Sequence, residues 1–374
     1  MMISPEQISY CMECGVCTGS CPISRSLTSF SPRQMIKRSL MDHDETVVQG
    51  RELWACLTCA RCSTRCPAQI DFPEFARAHR ELARNAGNMP QLSHHGTLQA
   101  IAALQTANIK QQRTDWAKEA GTFKDTGEVF YFVGCAPYFE AVLKPGEGSL
   151  EVPKAVLGIL NRMGIEPVIS NDERCCGHDA LWAGDEATFR KLAEKNLEVI
   201  RGSGAKTVLF SCPEGYTTFK NQIPKHFGDL PFEVLHVTEF FARELPGSGV
   251  KFSPCANNGK GGVTYQDPCR LGRVAGIYEA PRELIRLVPD AGFEEMPRNR
   301  ENALCCGTSA WMECSNCSKS IQIERLQEAR EAGAHTVITS CPKCRIHLSC
   351  GRQNTDLTDL EVIDLFAFLL KHVE

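Results

Sequence analysis

Two stretches of this chain carry the same cysteine spacing, and no other feature restricts its fold so severely. Cys11, Cys14, Cys17 and Cys21 stand as C-x2-C-x2-C-x3-C before Pro22, and Cys56, Cys59, Cys62 and Cys66 repeat that spacing before Pro67. Two-residue gaps let three thiolates close around one face of a cubane iron–sulfur cluster. In the two-cluster arrangement the more distant fourth cysteine serves the other cluster. The spacing therefore assigns Cys11, Cys14, Cys17 and Cys66 to one [4Fe–4S] cluster, and Cys56, Cys59, Cys62 and Cys21 to a second. Structural zinc also uses C-x2-C, but zinc sites pair two such knuckles across a longer loop and do not call for three cysteines in a row plus Cys-Pro.

The segments around these motifs read as helical. Ser31 is a good N-cap with Pro32 at the first helical position, predicting a helix from Ser31 to Leu40. Leu53, Trp54 and Leu57 place an apolar helical face at the second motif, and Phe75, Ala76, His79 and Leu82 mark a helix over Phe72 to Leu82. His79 reads as an ordinary helix residue, because both four-cysteine sets are complete without it. Arg33, Lys37, Arg38, Arg77, Arg80 and Arg84 make this region basic; most read as solvated helix faces, with docking of an acidic redox partner as the alternative. Residues 85–127 are polar and Gln/Ala-rich, a partly helical linker in which His94 and His95 read as surface.

Beyond the linker the chain repeats itself with a period of about 130 residues. Val129 to Cys135 aligns with Val263 to Cys269, Arg174-Cys175-Cys176-Gly177 with Leu304-Cys305-Cys306-Gly307, and Lys206 to Gly215 with His335 to Cys344. Val129 to Val133 and Thr207 to Phe210 read as short buried strands. Val152 to Met163, Glu186 to Ile200 and Ser318 to Ala332 read as amphipathic helices ending near Gly164, Gly202 and Gly333. That alternation predicts α/β layers with cysteines at strand ends and helix starts, where free N–H groups favour an anionic cluster.

A lone Cys, then Cys-Cys-Gly, then Cys-x2-Cys, twice over behind a two-cluster ferredoxin domain, resembles the D-type subunit family of heterodisulfide reductases. The resemblance spans residues 11 to about 350 and implies a fusion of a helical ferredoxin unit with a CCG unit. In that family a complete five-cysteine set binds a non-cubane [4Fe–4S] cluster, and the substrate disulfide is placed between two such clusters. The second copy matches fully, implying a cluster-borne catalytic set of Cys269, Cys305, Cys306, Cys341 and Cys344. The first copy departs from the pattern, since Gly215 stands at the position of the fifth cysteine. Its remaining Cys135, Cys175, Cys176 and Cys212 suffice for an ordinary cubane cluster or zinc, but the two-cluster disulfide chemistry does not transfer automatically.

The expected architecture is α+β and multi-domain. A mainly helical ferredoxin domain (1–84) and the linker (85–127) precede a duplicated α/β CCG domain, with the incomplete set at 128–250 and the complete one at 251–374. The 21 cysteines among 374 residues fall below the share found in small disulfide scaffolds, roughly 8–10%, and an odd number cannot pair completely. Four lie outside the sets. Cys314 and Cys317 form a C-x2-C beside the second CCG, readable as a redox dithiol or as packed thiols, and Cys255 and Cys350 lie in polar segments. His178 directly follows the first CCG and His347 lies near Cys344, as packing residues or as proton donors.

A net charge of −4 gives no electrostatic case for nucleic-acid binding. The apolar run from Val362 to Leu370 is too short for a bilayer crossing, and Met1 to Tyr10 has no secretory pattern. No Gly-x-Gly-x-x-Gly or phosphate loop occurs, and Gly259-Lys260-Gly261-Gly262 is only a fragment of one. Flavin, nicotinamide or quinone chemistry then falls to partner redox subunits. The expectation is a cytoplasmic electron-transport oxidoreductase subunit of an anaerobic setting, peripheral to a membrane only through a partner. A non-catalytic relay for a flavin-dependent glycolate or lactate oxidase is the alternative.

Overall fold

The computed structural model describes residues 8–41, 43–143, 148–255, 261–353 and 355–374. Gly259 and Lys260, and Met1 to Gln7 of the segment read for a secretory pattern, lie outside them. The N-terminal region is built from short helices around the cysteine loops. Pro32–Leu40 is capped by the Ser31 hydroxyl, which accepts from the Gln34 amide, and Phe72–Asn85 is capped by Asp71. Between them the second motif is entered through a 3-10 turn, Arg51–Ala55, and not an α-helix. Leu53 and Trp54 are buried on it, while Leu57 lies beyond its end.

The arginines of the Phe72–Asn85 helix correct the expectation of a solvated face. Arg80 is 0% exposed and Arg77 5%. The buried side of this helix is not apolar throughout: Arg77 pairs with Glu74 of the same helix at 2.7 Å, while the partners of Arg80 come from other segments. His79 is an inward-facing helix residue, its ring bonded to the Phe75 carbonyl and to Asp44.

Residues 85–127 are packed along the rest of the protein. Thr97–Leu104 is a helix, Trp116 and Ala117 enter the apolar core that the two repeats share, and the buried Arg113 pairs with Glu173 at 2.7 Å.

Each repeat forms a three-stranded parallel sheet. Strands β1 (Val129–Phe132), β2 (Thr207–Phe210) and β3 (Glu233–His236) make the first, and β4 (Gly262–Gln266), β5 (Ala334–Thr339) and β6 (Glu361–Asp364) the second. The orders are β1-β2-β3 and β4-β5-β6. β-branched and aromatic residues fill these strands and are buried on both faces, as parallel sheets require. Matched positions do matched work. Tyr131 meets Ser211 at 2.8 Å and Tyr265 meets Ser340 at 3.0 Å. His236 and Asp364 each end a third strand and cap the helix that follows.

The two repeats pack reciprocally. Helix Glu151–Arg162 of the first lies against Leu365–His372 of the second, and Val237–Glu244 of the first against Glu279–Arg286 of the second. Each copy's early helix thus covers the other's last, the relation a pseudo-twofold axis produces. Glu186–Ser203 runs past Gly202 and ends at Gly204, whose left-handed φ of 78° supplies the C-cap. The ferredoxin region docks on the first repeat at Gly184. A Cβ there would lie 2.5 Å from the Glu81 amide nitrogen and 2.6 Å from the Arg80 carbonyl carbon.

Candidate metal centres

Both ferredoxin loops wind by the same device. Glu13 and Gly15 in the first motif, and Thr58 and Ala60 in the second, adopt left-handed φ of 50°, 78°, 48° and 60°. They occupy equivalent places, two and four residues after the first cysteine. Ala60 and Thr58 hold this conformation at a cost of about 1 kcal/mol each, which a glycine at Gly15 avoids. The reversal turns successive thiols inward.

Cys11, Cys14, Cys17 and Cys66 line one cavity, which Cys62 also lines. Cys21, Cys56, Cys59 and Cys62 line a second. The electrostatic neighbours agree: Cys17 is raised by Cys11 and Cys66 after burial, and Cys62 by Cys56, Cys59 and Cys21. Burial pushes the Cys21 thiol up to about 12. Such thiols stay protonated unless a cation displaces the proton, which is how metal binding and proton release are linked. Cys59 moves the other way, to about 5, chiefly because the Cys305 thiol donates to it.

The CCG cysteines converge at the interface of the two repeats. Cys135 Sγ lies 3.7 Å from Cys175 Sγ, and Cys175 contacts Cys176. In the second copy Cys305 touches Cys269 and Cys306, Cys306 touches Cys344, and Cys344 touches Cys341. Two contacts cross between sets. Cys212 of the first copy bonds Cys341 of the second, and Cys59 of the ferredoxin loop bonds Cys305. Among the described residues every cysteine is a free thiol. All-sulfur donor sets in buried pockets suit iron–sulfur clusters or zinc.

Cys212 and Cys341 are N-caps of the helices Pro213–Thr217 and Pro342–Arg352, with proline next in both. Gly215 occupies the first of these helices with an ordinary right-handed φ. A Cβ there would meet the Phe210 ring at 3.2 Å and the Cys176 Cβ at 3.8 Å. A side chain at this position would therefore point at the CCG pair, as Cys344 does in the second copy.

A charge cluster that sequence reasoning missed sits where the repeats meet. Lys343 Nζ is 2.6 Å from Glu214 and also pairs with Asp179, at 2.5 Å. Burial opposes the Lys343 charge, yet Asp179 and Glu214 hold it well above the ordinary lysine value. Burial pushes Glu214 up to about 8 and raises Asp179 as well, while the Lys343 ammonium pulls both down. The donor atoms of His178, Asp179 and Glu214 lie within 4.8 Å of one another, but the ammonium already serves these carboxylates. The signal was available: Glu214 and Lys343 are the same position of the repeat, with opposite charge.

The candidate histidines divide. His178 is buried against Thr218 at 3.1 Å, and burial first, then Arg270 and Lys343, drives it well below the usual range; it stays neutral. His347 Nδ1 lies 3.6 Å from Cys306 Sγ and its ring meets Trp311 edge-on. His94 and His95 are exposed, His94 against Trp311. Cys314 is exposed and, with Cys350, lines a cavity of about 230 Å³ that reaches His347. Cys317 accepts a bond from Ser26 and Cys255 is half-buried against the apolar core that the two repeats share.

With this geometry in hand the relatives are informative. Residues 7–70 match the 4Fe-4S dicluster domain, and 129–220 and 263–349 each match the cysteine-rich (CCG) domain. The chain is 28% identical to the D-type subunit of the dihydromethanophenazine:CoB--CoM heterodisulfide reductase of Methanosarcina barkeri, over 96% of this chain and 93% of that one. It is 29% identical to the EtfAB:quinone oxidoreductase of Syntrophomonas wolfei, over 88% of this chain and 47% of that one. The B-type subunit of the CoM/CoB fumarate reductase of Methanothermobacter marburgensis matches at 24%, over 97% of this chain and 72% of that one. These matches define an iron–sulfur protein made of a helical dicluster ferredoxin region followed by two α/β CCG domains, and such domains imply bound iron–sulfur clusters. Within that class the chain is heterodisulfide reductase D-like, an iron–sulfur oxidoreductase subunit. Among the described residues no helix is long and apolar enough to cross a membrane.

Proposed function

We propose that the chain is the electron-transferring and catalytic iron–sulfur subunit of a heterodisulfide reductase-like complex. Cys11, Cys14, Cys17 and Cys66 hold an outer cubane, Cys56, Cys59, Cys62 and Cys21 an inner one, and Cys269, Cys305, Cys306, Cys341 and Cys344 a non-cubane cluster. Cys135, Cys175, Cys176 and Cys212 hold a further [4Fe–4S] cluster or zinc. When bound, these clusters store and release single electrons at potentials set by ligands, hydrogen bonds and burial.

The observation that carries this reading is the thiol continuity from Cys59 through Cys305 to Cys341 and Cys212. It puts the ferredoxin half and both CCG sets in direct contact. The chain's own groups do the rest. Lys343 fixes Glu214 and Asp179 across the repeat interface, and His347 holds a ring nitrogen against Cys306. The proposed substrate is a thiol–disulfide pair at the five-cysteine end, with a flavoprotein or quinone-linked subunit as redox partner.

Gly215 favours a second reading, in which the chain is a non-catalytic relay for a flavin-dependent oxidase of the glycolate or lactate type or for another multi-subunit oxidoreductase. The purified chain, given an artificial electron donor, separates the two. Turnover of a disulfide substrate supports the first reading. Cluster reduction and reoxidation without disulfide turnover supports the relay.

A further inference from the structure

Four arginines crowd the inner ferredoxin loop, and among the described residues none of them forms an ion pair with a carboxylate. Arg80, 0% exposed, donates to the carbonyls of Leu53, Trp54 and Cys56 at 3.2, 3.1 and 2.7 Å, and to Trp182 at 2.9 Å. Arg273 donates to the Cys59 carbonyl at 2.6 Å and the Ala303 carbonyl at 2.8 Å. Arg270, 4% exposed, donates to the Thr58 hydroxyl at 2.8 Å and lies 4.0 Å over the Trp182 ring. Arg61 reaches the Asn302 and Ala303 carbonyls. The Thr58 hydroxyl also meets Ser309, 2.9 Å away, just beyond the second CCG.

Burying a guanidinium without a counter-charge costs several kcal/mol, and neutral carbonyls only offset part of that. These guanidiniums converge on the ligand loop itself: Arg80 donates to the Cys56 carbonyl, Arg270 to the Thr58 hydroxyl and Arg273 to the Cys59 carbonyl. Among the described residues no carboxylate lines the second cavity. The outer loop differs: Cys14 is exposed, and Glu13 stands beside it, paired with Lys37 at 3.1 Å. Among the described residues each cavity is lined by one guanidinium, Arg33 in the outer and Arg61 in the inner. The two sites therefore differ in Arg80, Arg270 and Arg273, which bond the backbone and the Thr58 hydroxyl of the inner loop.

We propose that Arg80, Arg270 and Arg273 poise the inner cubane site at a more positive reduction potential than the outer one, so that an electron comes to rest beside the five-cysteine set. Fixed positive charge favours the more negative, reduced state of a thiolate-bound cluster. Arg270 and Arg273 follow Cys269 in the second CCG domain, so the acceptor end sets the potential of the site that feeds it. These residues touch the loop that holds the ligands, and are positioning residues. The inference rests on the ligand sets proposed above.

The test is a redox titration, followed by electron paramagnetic resonance, of the anaerobically purified full chain and of Arg80→Gln, Arg270→Gln and Arg273→Gln. Cys14→Ser and Cys62→Ser assign the outer and inner signals. In the wild type the inner midpoint lies above the outer. Each glutamine variant moves the inner midpoint to more negative values and leaves the outer in place, while Arg270→Lys and Arg273→Lys restore it. Arg273 is only half-buried, so its pair of variants decides the matter if Arg80→Gln loses its clusters. An inner midpoint that ignores these substitutions, an equal shift of both signals, or an inner site below the outer overturns the proposal. If instead the wild type shows no pair of cubane signals, the ligand assignment itself has failed.

Discussion

Gly215→Cys tests whether the first CCG site lacks only a thiolate. The substitution is sterically mild for defined reasons. Gly215 has no left-handed φ, so an L side chain brings no backbone strain, and its Cβ meets only the Phe210 ring, at 3.2 and 3.7 Å, and Cys176 Cβ, at 3.8 Å. Phe210 must yield by a few tenths of an ångström, at about 1 kcal/mol. Replacing a helical glycine returns roughly 0.5–1 kcal/mol. The net change in stability is then within about 1 kcal/mol, a shift of a few degrees in Tm. The new sulfur points at the CCG pair. After anaerobic cluster loading, Mössbauer and electron paramagnetic resonance spectra should contain a second contribution like that of the five-cysteine set. Gly215→Ser, of nearly equal size but without sulfur, should not. A folded Gly215→Cys protein whose spectrum matches the wild type would refute the inference that the two repeats are equivalent frameworks differing by one ligand.

Three further outcomes follow from packing and charge. Lys343→Met leaves Asp179 and Glu214 buried without their ammonium and should cost about 3–5 kcal/mol in denaturant unfolding; a loss below about 1 kcal/mol would show that the cluster is solvated. Gly184→Ala drives a Cβ into the Arg80–Glu81 backbone at a φ of +75°, and should cost at least about 2–3 kcal/mol, with proteolysis reporting release of the ferredoxin helix. Burial pushes His236 down to about 3. Its folded pKa is depressed below the unfolded value near 6.5, so this contribution is whole above pH 6.5 and shrinks as pH falls toward 3. Between pH 7 and 4.5 the wild type should lose roughly 2–3 kcal/mol through this residue. His236→Asn, which keeps a capping side chain, should flatten that part of the urea-midpoint profile, and an unchanged slope would contradict the assignment.

The ferredoxin region, the duplication and the α/β layers were legible because each rests on a spacing. Cysteine gaps and the roughly 130-residue repeat survive without knowledge of partners. What could not be read depends on surfaces that meet only in the folded chain. Arg80 looked solvated because helical periodicity separates apolar from charged residues; its partners are carbonyls of Leu53, Cys56 and Trp182, remote in sequence. The Lys343–Glu214 pair joins the two repeats, and a search for markers that the repeats share passes over positions where they differ. Ala60 gives no hint of its left-handed φ, since nothing but the closure of the cysteine loop demands it. The fifth position of the first set was visible as Gly215, but the space that would receive a side chain there was not.

The account turns on the five-cysteine set, and Cys344→Ser addresses it most directly. Electron paramagnetic resonance of the anaerobically purified protein should show that this variant loses the non-cubane signal and keeps both cubane signals. Cys212→Ser, run beside it, should leave the non-cubane signal in place. A Cys344→Ser spectrum with every signal intact, or a wild-type protein holding zinc and little iron, would contradict the account.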